Sequence, residues 1–448
     1  MKPISDLRTK RIPHLRWYIL VLIFLATIIN YLDRMTINVS APMIAKHYGL
    51  SNETLAVVFT AFLWAYTLGP GPMGWLMDRI GSRKGYALSM GLWSGAGVLT
   101  AFAVYIGKGV AVIVPLSIAP IVLGFIVCRF VLGVGESANW PVAIKAISEW
   151  FAPKERSFAM GWFNSGSSVG VAVAPLLCAA LLAAWGWQAA FVAVGLIGFL
   201  WMAAWLLLYR PPTEHPWITS EELNYIQTEQ DKEHSVEDVK RAKWLDLLRI
   251  RQVGGVAFTR FFMDPIWWFY TFWLPTYFVQ DRHLDLKNMA VFTALSFLAS
   301  DLGNLFGGWT SSRLMKRGRT VNAARKMVMT PCAALMLLGL VVPFASRNWA
   351  VTLIAIVMFC YQSWSVNMMS IPADVVPKSI LGSAAGLSHM GAGFGGIVVT
   401  MIAGYLSTKY HSFKSVIMLM GLMPIVGITF LYLVIGRIAP YKRKTEEG

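Results

Sequence analysis

Two apolar stretches of the sequence contain ionisable side chains of both signs. Asp33 and Arg34 are adjacent in the middle of the first apolar run, and Arg129 and Glu136 lie seven residues apart in a later one. Seven residues make two turns of an α-helix, so Arg129 and Glu136 share one face. Charged side chains within hydrocarbon are costly unless they are paired or hydrated, and they are functional candidates by default.

These residue types suit the binding of an anion together with a proton. An arginine holds a carboxylate through paired hydrogen bonds, and a carboxyl group in a low-dielectric site can exchange a proton near neutral pH. We predict Asp33 and Glu136 as proton-coupling residues and Arg34 and Arg129 as anion-binding residues. The alternative is two ion pairs that only join helices, although buried ion pairs contribute little to stability.

The composition indicates a membrane protein. Of the 448 residues, 56% are hydrophobic and 14% are charged, whereas soluble domains carry about 25% charged residues. Runs of about 20 apolar residues, long enough to cross a bilayer as helices, recur along the chain. The net charge of +16 would suggest nucleic acid on a soluble protein, but the basic residues fall in short gaps between apolar runs. The expected partner is therefore the lipid bilayer, with no nucleic acid.

We predict twelve spans. Their limits are 17–42, 54–77, 86–106, 115–143, 157–181, 188–209, 253–279, 289–313, 327–346, 349–371, 380–407 and 413–437. The apolar run 109–120 either extends span three or four or forms an external loop.

Basic residues set the expected orientation. With a cytoplasmic N-terminus, 28 of the 39 Lys and Arg residues fall on the cytoplasmic side and seven on the other, as the positive-inside rule requires. An even number of spans places both termini in the cytoplasm.

A polar segment divides the chain into two halves. The predicted organisation comprises a cytoplasmic N-terminal segment 1–16, a six-helix half 17–209, a cytoplasmic central loop 210–251, a six-helix half 252–437 and a cytoplasmic tail 438–448. Within the loop, Thr219 to Glu222 resembles a capping box and predicts a short surface helix.

The two predicted halves share an internal echo. Gly166–Gly170 in span five and Gly391–Gly395 in span eleven are both GxxxG patterns, each preceded by Pro-Lys and a further glycine. Equivalent motifs in two six-helix halves indicate a duplicated transporter. The glycines themselves predict close helix packing.

A charged loop between spans two and three is a candidate gate. Its residues are Gly74, Asp78, Arg79, Gly81 and Arg83. Glycine permits a tight turn, and Asp78 can pair with neighbouring bases at a helix end. Such a cluster can latch one conformation, or it can simply set the topology.

Several of these motifs resemble known families. Gly74–Lys84 resembles the signature loop of the major facilitator superfamily, with Ser82 as an insertion. The Asn-Tyr-Leu-Asp-Arg run ending at Arg34, Arg129 with Glu136, and Glu149–Arg156 resemble the anion:cation symporter family. Ser148–Val169 and Asp264-Pro-Ile-Trp267 look most like its hexuronate branch. The resemblance covers essentially the full chain.

This resemblance implies an all-α fold of twelve transmembrane helices in two six-helix halves. It implies that Asp33 and Glu136 carry protons, that Arg34 contacts the substrate carboxylate and that Arg129 orders Glu136. It also implies that Tyr31 and Tyr66 line the substrate cavity. A bacterial inner-membrane monomer, with protons as the coupling ion and no other cofactor, is expected.

Further substrate-binding candidates lie along later spans. They are Asn164, Ser167, Trp267, Trp364, Asn367 and His389. Arg260 either extends to the cytoplasmic surface or binds substrate.

The predicted function is proton-coupled symport of a sugar acid, such as a hexuronate or aldonate. Alternatives are a carrier for another carboxylate, such as phthalate, tartrate or glucarate, or an exporter. A receptor or a membrane enzyme is disfavoured, because the spans show neither a metal-ligand cluster nor a nucleophile with a suitably spaced base. The sequence also lacks a phosphate-binding P-loop, and its four cysteines, all within apolar runs, have no metal-ligand spacing.

Overall fold

The protein is described by a computed structural model that covers residues 11–113, 118–231, 250–376 and 378–439. Apart from one isolated bridge between Ile12 and Ile218, the regular structure of these residues is helical. The α-helices are α1 Leu15–Tyr48, α2 Asn52–Leu68, α3 Pro70–Thr100, α4 Ala103–Ile113, α5 Pro120–Ser137, α6 Asn139–Trp150, α7 Pro153–Leu208, α8 Ser220–Asp231, α9 Arg251–Met263, α10 Pro265–Gln280, α11 Leu286–Lys316, α12 Val321–Met336, α13 Arg347–Val375, α14 Lys378–Tyr410 and α15 Lys414–Thr429.

Most of these helices form from long apolar stretches of the sequence. Within the described residues, eight helical stretches are long and apolar enough to span a membrane, or nine if α2 and α3, bent by 53°, form one broken span. Helix α7 contains two predicted spans and turns at Gly186, whose φ of +79° suits glycine. Predicted span seven is divided between α9 and α10. The all-α fold of membrane-spanning helices is thus confirmed.

The region between predicted spans three and four differs from expectation. Span three ends at Thr100, and α4 follows as a separate helix that packs against α5. A Cβ on Gly107 would overlap the carbonyl of Pro120, and one on Gly124 would overlap that of Ala103. The two helices therefore touch backbone to backbone. Residues 114–117 lie outside the described ranges.

The chain forms two compact units. Unit 1 comprises Met1–Ile37 and Leu68–Asp238, and unit 2 comprises Asn38–Thr67 and Val239–Gly448. The predicted limits of the segments, such as the central loop 210–251, stay predictions.

The predicted close packing at GxxxG motifs occurs in both units. In unit 1, a Cβ on Gly166 would lie 2.7 Å from the carbonyl oxygen of Phe24 on α1, and Gly170 makes a similar approach one turn later. In unit 2, Gly391 and Gly395 of α14 approach carbonyls of α9 even more closely. The motif therefore packs against the first helix of each predicted half, as expected of a duplicated structure.

Helix α8, predicted from the capping box, is clamped to the start of α1. The Thr219 hydroxyl accepts a hydrogen bond from the Glu222 backbone nitrogen at 3.2 Å. The Glu222 carboxylate accepts from the Leu15 nitrogen at 2.9 Å and pairs with the Arg16 guanidinium at 2.7 Å. A carboxylate at the first turn of α1 also offsets the positive end of that helix. Glu222 thus fixes the beginning of the central segment onto unit 1.

His215, in the same segment, makes a second set of contacts with neighbouring residues. Its Nδ1 accepts from the Trp217 backbone nitrogen at 3.2 Å, so Nε2 carries the hydrogen that is donated to the Leu208 carbonyl at 2.9 Å. Its ring also packs edge-on against Trp150 at 5.5 Å. Burial lowers the pKa of His215 below its ordinary value.

Replacement of glycine by alanine should have opposite effects at two positions of α14. Gly395→Ala should destabilise the protein by about 1–3 kcal/mol, because the new methyl group overlaps the Phe261 carbonyl. Gly386→Ala has open space around the Cβ and should be neutral or stabilise by up to about 1 kcal/mol through helix propensity. Thermal unfolding of the purified variants measures this. Equal melting temperatures for the two variants would contradict the close approach of α14 to α9.

The neutral state of His215 predicts acid sensitivity. As pH falls below about 6.5, the unfolded chain binds a proton at this residue before the folded protein does, so stability decreases until the lower folded pKa is reached. His215→Asn keeps an acceptor for Trp217 without a titrating group. The melting temperature of the wild type should therefore fall more than that of the variant between about pH 7.5 and about pH 5. Parallel curves would refute the assignment.

Candidate functional site

The buried charges of α1 and α5 meet inside unit 1. Arg34 donates from both Nε and Nη2 to Oε2 of Glu136, at 2.8 and 2.6 Å. Both side chains are almost completely buried, with exposures of 2% and 0%. Nη2 also donates to Asn30 Oδ1 at 3.3 Å. The ion pair thus joins the two predicted clusters across helices.

Asp33 and Arg129 complete a cluster of four charges. Both are buried, and Asp33 interacts electrostatically with Glu136 and Arg129. Space for the carboxylate comes from Gly97, where a Cβ would lie 2.7 Å from Asp33 Oδ1. Asp33 Oδ2 has no hydrogen-bond partner among the described residues. The structure therefore brings together the four ionisable residues that the sequence singled out.

Of the other candidates in unit 1, Tyr31 contacts the cluster. The Tyr31 ring lies 4.7 Å from the Arg34 guanidinium carbon, a cation–π distance. Asn164 and Ser167 lie on α7, where the Ser167 hydroxyl donates to the Asn164 carbonyl at 2.6 Å. Asn164 is exposed and Ser167 is half-buried.

The predicted gating loop is attached to α6. Lys145 Nζ donates to the carbonyls of Met77 and Asp78 at 3.1 and 3.0 Å and lies 3.6 Å from Asp78 Oδ1. Gly81 adopts a φ of +78°, which only glycine tolerates readily. Gly74 packs against Pro141 of α6. The loop is a turn fixed to a neighbouring helix within unit 1.

Contacts that the sequence did not reveal strengthen this attachment. Ser82 donates to Glu149 Oε1 at 2.7 Å, and Tyr209 donates to Oε2 of the same carboxylate at 2.6 Å. Arg83 donates to the Leu206 carbonyl at 2.5 Å, and Arg79 stacks on Trp75 at 3.8 Å. The inserted Ser82 therefore has a specific partner. These contacts hold the loop to α6 and to the end of α7, and its role as a gate stays a prediction.

A second buried ion pair lies in unit 2. Arg260 donates from Nε to Oδ2 of Asp264 at 2.7 Å and from Nη1 to the Ser388 hydroxyl at 3.1 Å, and its Nη2 lies 2.6 Å from the same Oδ2 as an ion pair. The Tyr361 hydroxyl donates to Asp264 Oδ1 at 3.0 Å. Extension of Arg260 to the surface is excluded, because the side chain is buried. The i,i+4 spacing of Arg260 and Asp264 was the available signal; Tyr361 gave none.

Four further candidates of unit 2 have ring side chains: Trp267, Tyr66, His389 and Trp364. Trp267 stacks on Tyr361 at 6.3 Å, and Tyr66 packs against His389 at 5.7 Å. Trp364 is fully buried, and its indole nitrogen lacks a hydrogen-bond partner among the described residues.

Asn367 has a structural set of contacts. Its amide nitrogen donates to the carbonyls of Gly307 and Ser363, and its oxygen accepts from Arg325. These bonds tie α13 to α11 and α12.

No cluster of His, Cys, Asp or Glu suited to a metal ion occurs within the described residues. The four cysteines are buried as free thiols. The charged groups described above are therefore the candidates for chemistry.

Comparison with known proteins identifies the family. The profile of the Major Facilitator Superfamily matches residues 23–324 and 318–448. The chain belongs to this superfamily. Its family and its relatives are transporters rather than enzymes, and the protein is a multi-pass membrane protein. The predicted resemblance to this family is confirmed.

Three proteins similar in sequence to this chain are named as transporters of sugar acids. The chain is 33% identical to the hexuronate transporter of Escherichia coli (strain K12) over 401 residues, 89% of either chain. It is 31% identical to the probable galactarate/D-glucarate transporter of the same strain, over 95% of this chain and 96% of that one. A galacturonate transporter of Dickeya chrysanthemi is 32% identical, over 73% of this chain and 90% of the other.

Solved structures support the fold. A bacterial homologue of the human lysosomal transporter Spinster gives a TM-score of 0.72 at 16% identity, covering 94% of this chain and 97% of the other. A D-xylose–proton symporter gives 0.70 at 14% identity, covering 94% and 98%. The predicted major facilitator fold is thereby confirmed, and the predicted twelve helices in two halves are consistent with it.

Removal of one partner of the buried pair should cost more than removal of both charges. Arg34→Met leaves Glu136 without its two hydrogen bonds and should lower the free energy of unfolding by about 3–5 kcal/mol. Adding Glu136→Gln removes the uncompensated charge and should recover part of this loss. Denaturant unfolding of the purified variants in detergent tests the difference. A double variant no more stable than Arg34→Met would show that the unpaired charge of Glu136 does not cause the loss of stability.

Proposed function

We propose that the protein is a secondary active transporter that takes up a sugar acid together with protons by alternating access. The observation that carries the proposal is the buried cluster of Arg34, Glu136, Asp33 and Arg129 in unit 1. Among these groups, Arg34 is bound to Glu136 by two hydrogen bonds to one oxygen. A carboxylate substrate can replace Glu136 on Arg34 only if Glu136 loses its charge, since an unpaired buried carboxylate is costly.

Coupling follows from this exchange. Protonation of Glu136 weakens its hold on Arg34 and leaves a guanidinium that binds a substrate carboxylate in its place. Deprotonation restores the internal pair and favours release of the anion. Asp33, which interacts electrostatically with both Glu136 and Arg129, is the second proton-accepting group. Substrate and protons are therefore bound together or not at all.

The sugar-acid substrate rests on the relatives. Hexuronate, galacturonate and galactarate/D-glucarate carriers are each about one-third identical to this chain, and all of these compounds are hydroxylated carboxylates. Within unit 2, Tyr66, Trp364 and His389 offer aromatic surfaces and hydrogen-bonding groups suited to such molecules, and within unit 1 Tyr31 does so beside Arg34. Under this proposal the protein is a monomer of the bacterial inner membrane with both termini in the cytoplasm.

Export is the alternative direction. The buried arginines favour an anion over a hydrophobic compound. A different carboxylate remains the second candidate for the substrate, because a sulfoacetate carrier described as probable, from Cupriavidus necator, is also 32% identical over 92% of both chains.

Uptake into proteoliposomes tests the proposal. Labelled glucuronate, galacturonate and galactonate are offered with and without an inward proton gradient. One of them should accumulate only with the gradient, and Arg34→Ala should abolish its uptake. Glu136→Gln should retain exchange of internal for external substrate while losing accumulation, because the exchange step needs no net proton movement.

The matched control is Lys108→Gln, which removes an exposed basic residue of α4 and should leave uptake unchanged. Gradient-driven accumulation by Glu136→Gln would remove Glu136 from the coupling mechanism. No uptake of any of the three compounds by the wild type would refute the sugar-acid proposal.

A further inference from the structure

The ion pair of unit 2 lies where one span is divided into two helices. Helix α9 ends at Met263 and α10 begins at Pro265, which lacks the N–H that would continue the hydrogen-bond ladder. Arg260 occupies the last turn of α9, and Asp264 precedes the first turn of α10. Each charge therefore complements the helix end beside it.

The geometry of this pair repeats that of unit 1. In each unit a buried arginine places both Nε and Nη2 within ion-pair distance of a single carboxylate oxygen, with two hydrogen bonds from Arg34 and one, from Nε, from Arg260. The distances are 2.8 and 2.6 Å for Arg34 with Glu136 and 2.7 and 2.6 Å for Arg260 with Asp264. The other carboxylate oxygen is not engaged by the arginine in either case. A second copy of an exchangeable arginine–carboxylate arrangement thus exists in unit 2.

The surroundings hold Arg260 and Asp264 independently of each other. Ser388 of α14 accepts from Arg260 Nη1, and Tyr361 of α13 donates to Asp264 Oδ1. If the direct pair opens, the guanidinium keeps one neutral partner and the carboxyl group keeps one donor. Both groups can therefore separate without losing all their hydrogen bonds.

The same region offers unused donor capacity. Trp364 lies three residues after Tyr361 on α13, so the two share a helix face. Its indole N–H is buried and has no hydrogen-bond partner within the described residues. Trp267 stacks on the Tyr361 ring and is half-buried. An aromatic surface and a free N–H donor are features that bind the ring and hydroxyl groups of a sugar.

We propose that Arg260 is a second carboxylate-binding residue, at which the carboxylate of the transported anion displaces Asp264 in a step separate from its binding to Arg34. This inference rests on the proposed function and extends it. In the exchange, Arg260 transfers its Nε hydrogen bond and its Nη2 ion-pair contact from Asp264 to the substrate carboxylate, and Asp264 takes up one proton from the solution on the side of substrate entry as it loses its counter-charge. Apart from the O–H bond formed on Asp264, no covalent bond forms or breaks. Asp264 thereby adds a proton to those carried by unit 1.

A test must distinguish protonation of Asp264 from that of other titratable groups on α9, α11, α13 and α14. They are Arg260 on α9, Tyr361 on α13, His389 on α14 and Asp301 on α11. Tyr361 and Arg260 interact directly with Asp264.

The test uses purified full-length protein in proteoliposomes. Binding and uptake of glucuronate, galacturonate and galactonate are measured for the wild type, Arg260→Gln and Asp264→Asn. Arg260→Gln should raise the dissociation constant of the transported compound at least tenfold. Asp264→Asn is nearly isosteric and removes the competing charge, so it should tighten binding at about pH 7.5, retain substrate exchange and reduce gradient-driven accumulation at least tenfold.

A matched control comes from another ion pair of unit 2. Arg325 donates to Asp374 at 3.1 Å between α12 and α13, and Asp374→Asn should leave the dissociation constant and accumulation within twofold of the wild type. Melting temperatures establish that each variant is folded. His389→Gln, measured in parallel, separates any contribution of that histidine to proton coupling.

Two outcomes would overturn the inference while leaving the proposed function intact. One is unchanged binding by folded Arg260→Gln, and the other is behaviour of Asp264→Asn indistinguishable from that of Asp374→Asn. If Arg260→Gln does not fold, Asp264→Asn alone decides. Failure of the wild type to take up any of the three compounds would instead remove the proposed function, and this inference with it.

Discussion

The pairing of buried arginine with buried carboxylate is the constraint on which the site depends. Arg34 and Glu136 are each almost fully enclosed in unit 1, where neither can remain charged at low energetic cost without the other. The pair therefore fixes the relation of α1 to α5. It also makes the state of Arg34 depend on whether Glu136 holds a proton. Under the proposed function, stability and proton coupling depend on the same two hydrogen bonds.

Glycine makes this arrangement possible. Gly97 leaves room for the Asp33 carboxylate, and Gly166 and Gly170 let α7 lie against the backbone of α1. In unit 2, Gly391 and Gly395 play the corresponding part between α14 and α9. The helices that carry charge are thus held by backbone contact rather than by large side chains, which keeps the polar groups at defined positions in apolar surroundings.

The two units show the same chemical arrangement with different connectivity. In unit 1 the acid and the base come from helices far apart in sequence, Arg34 on α1 and Glu136 on α5. In unit 2 they are four residues apart, across the junction of α9 and α10. A local pair needs no neighbouring helix to form, so Ser388 and Tyr361 from other helices serve to anchor it. The hydrogen bond of Ser82 with Glu149 and the ion pair of Glu222 with Arg16 extend the polar contacts of unit 1 beyond the site.

The sequence alone determined the membrane character, the helical class, the family and the identity of the buried charges, because each depends on composition or on spacing along one helix. It also predicted α8 from its capping residues and the close packing of the GxxxG motifs. Only the tertiary structure decided that Arg34 pairs with Glu136, that Ser82 meets Glu149 and that Tyr361 reaches Asp264. These contacts join residues from different helices, and periodicity says which face a residue occupies but not which face of another helix it will meet.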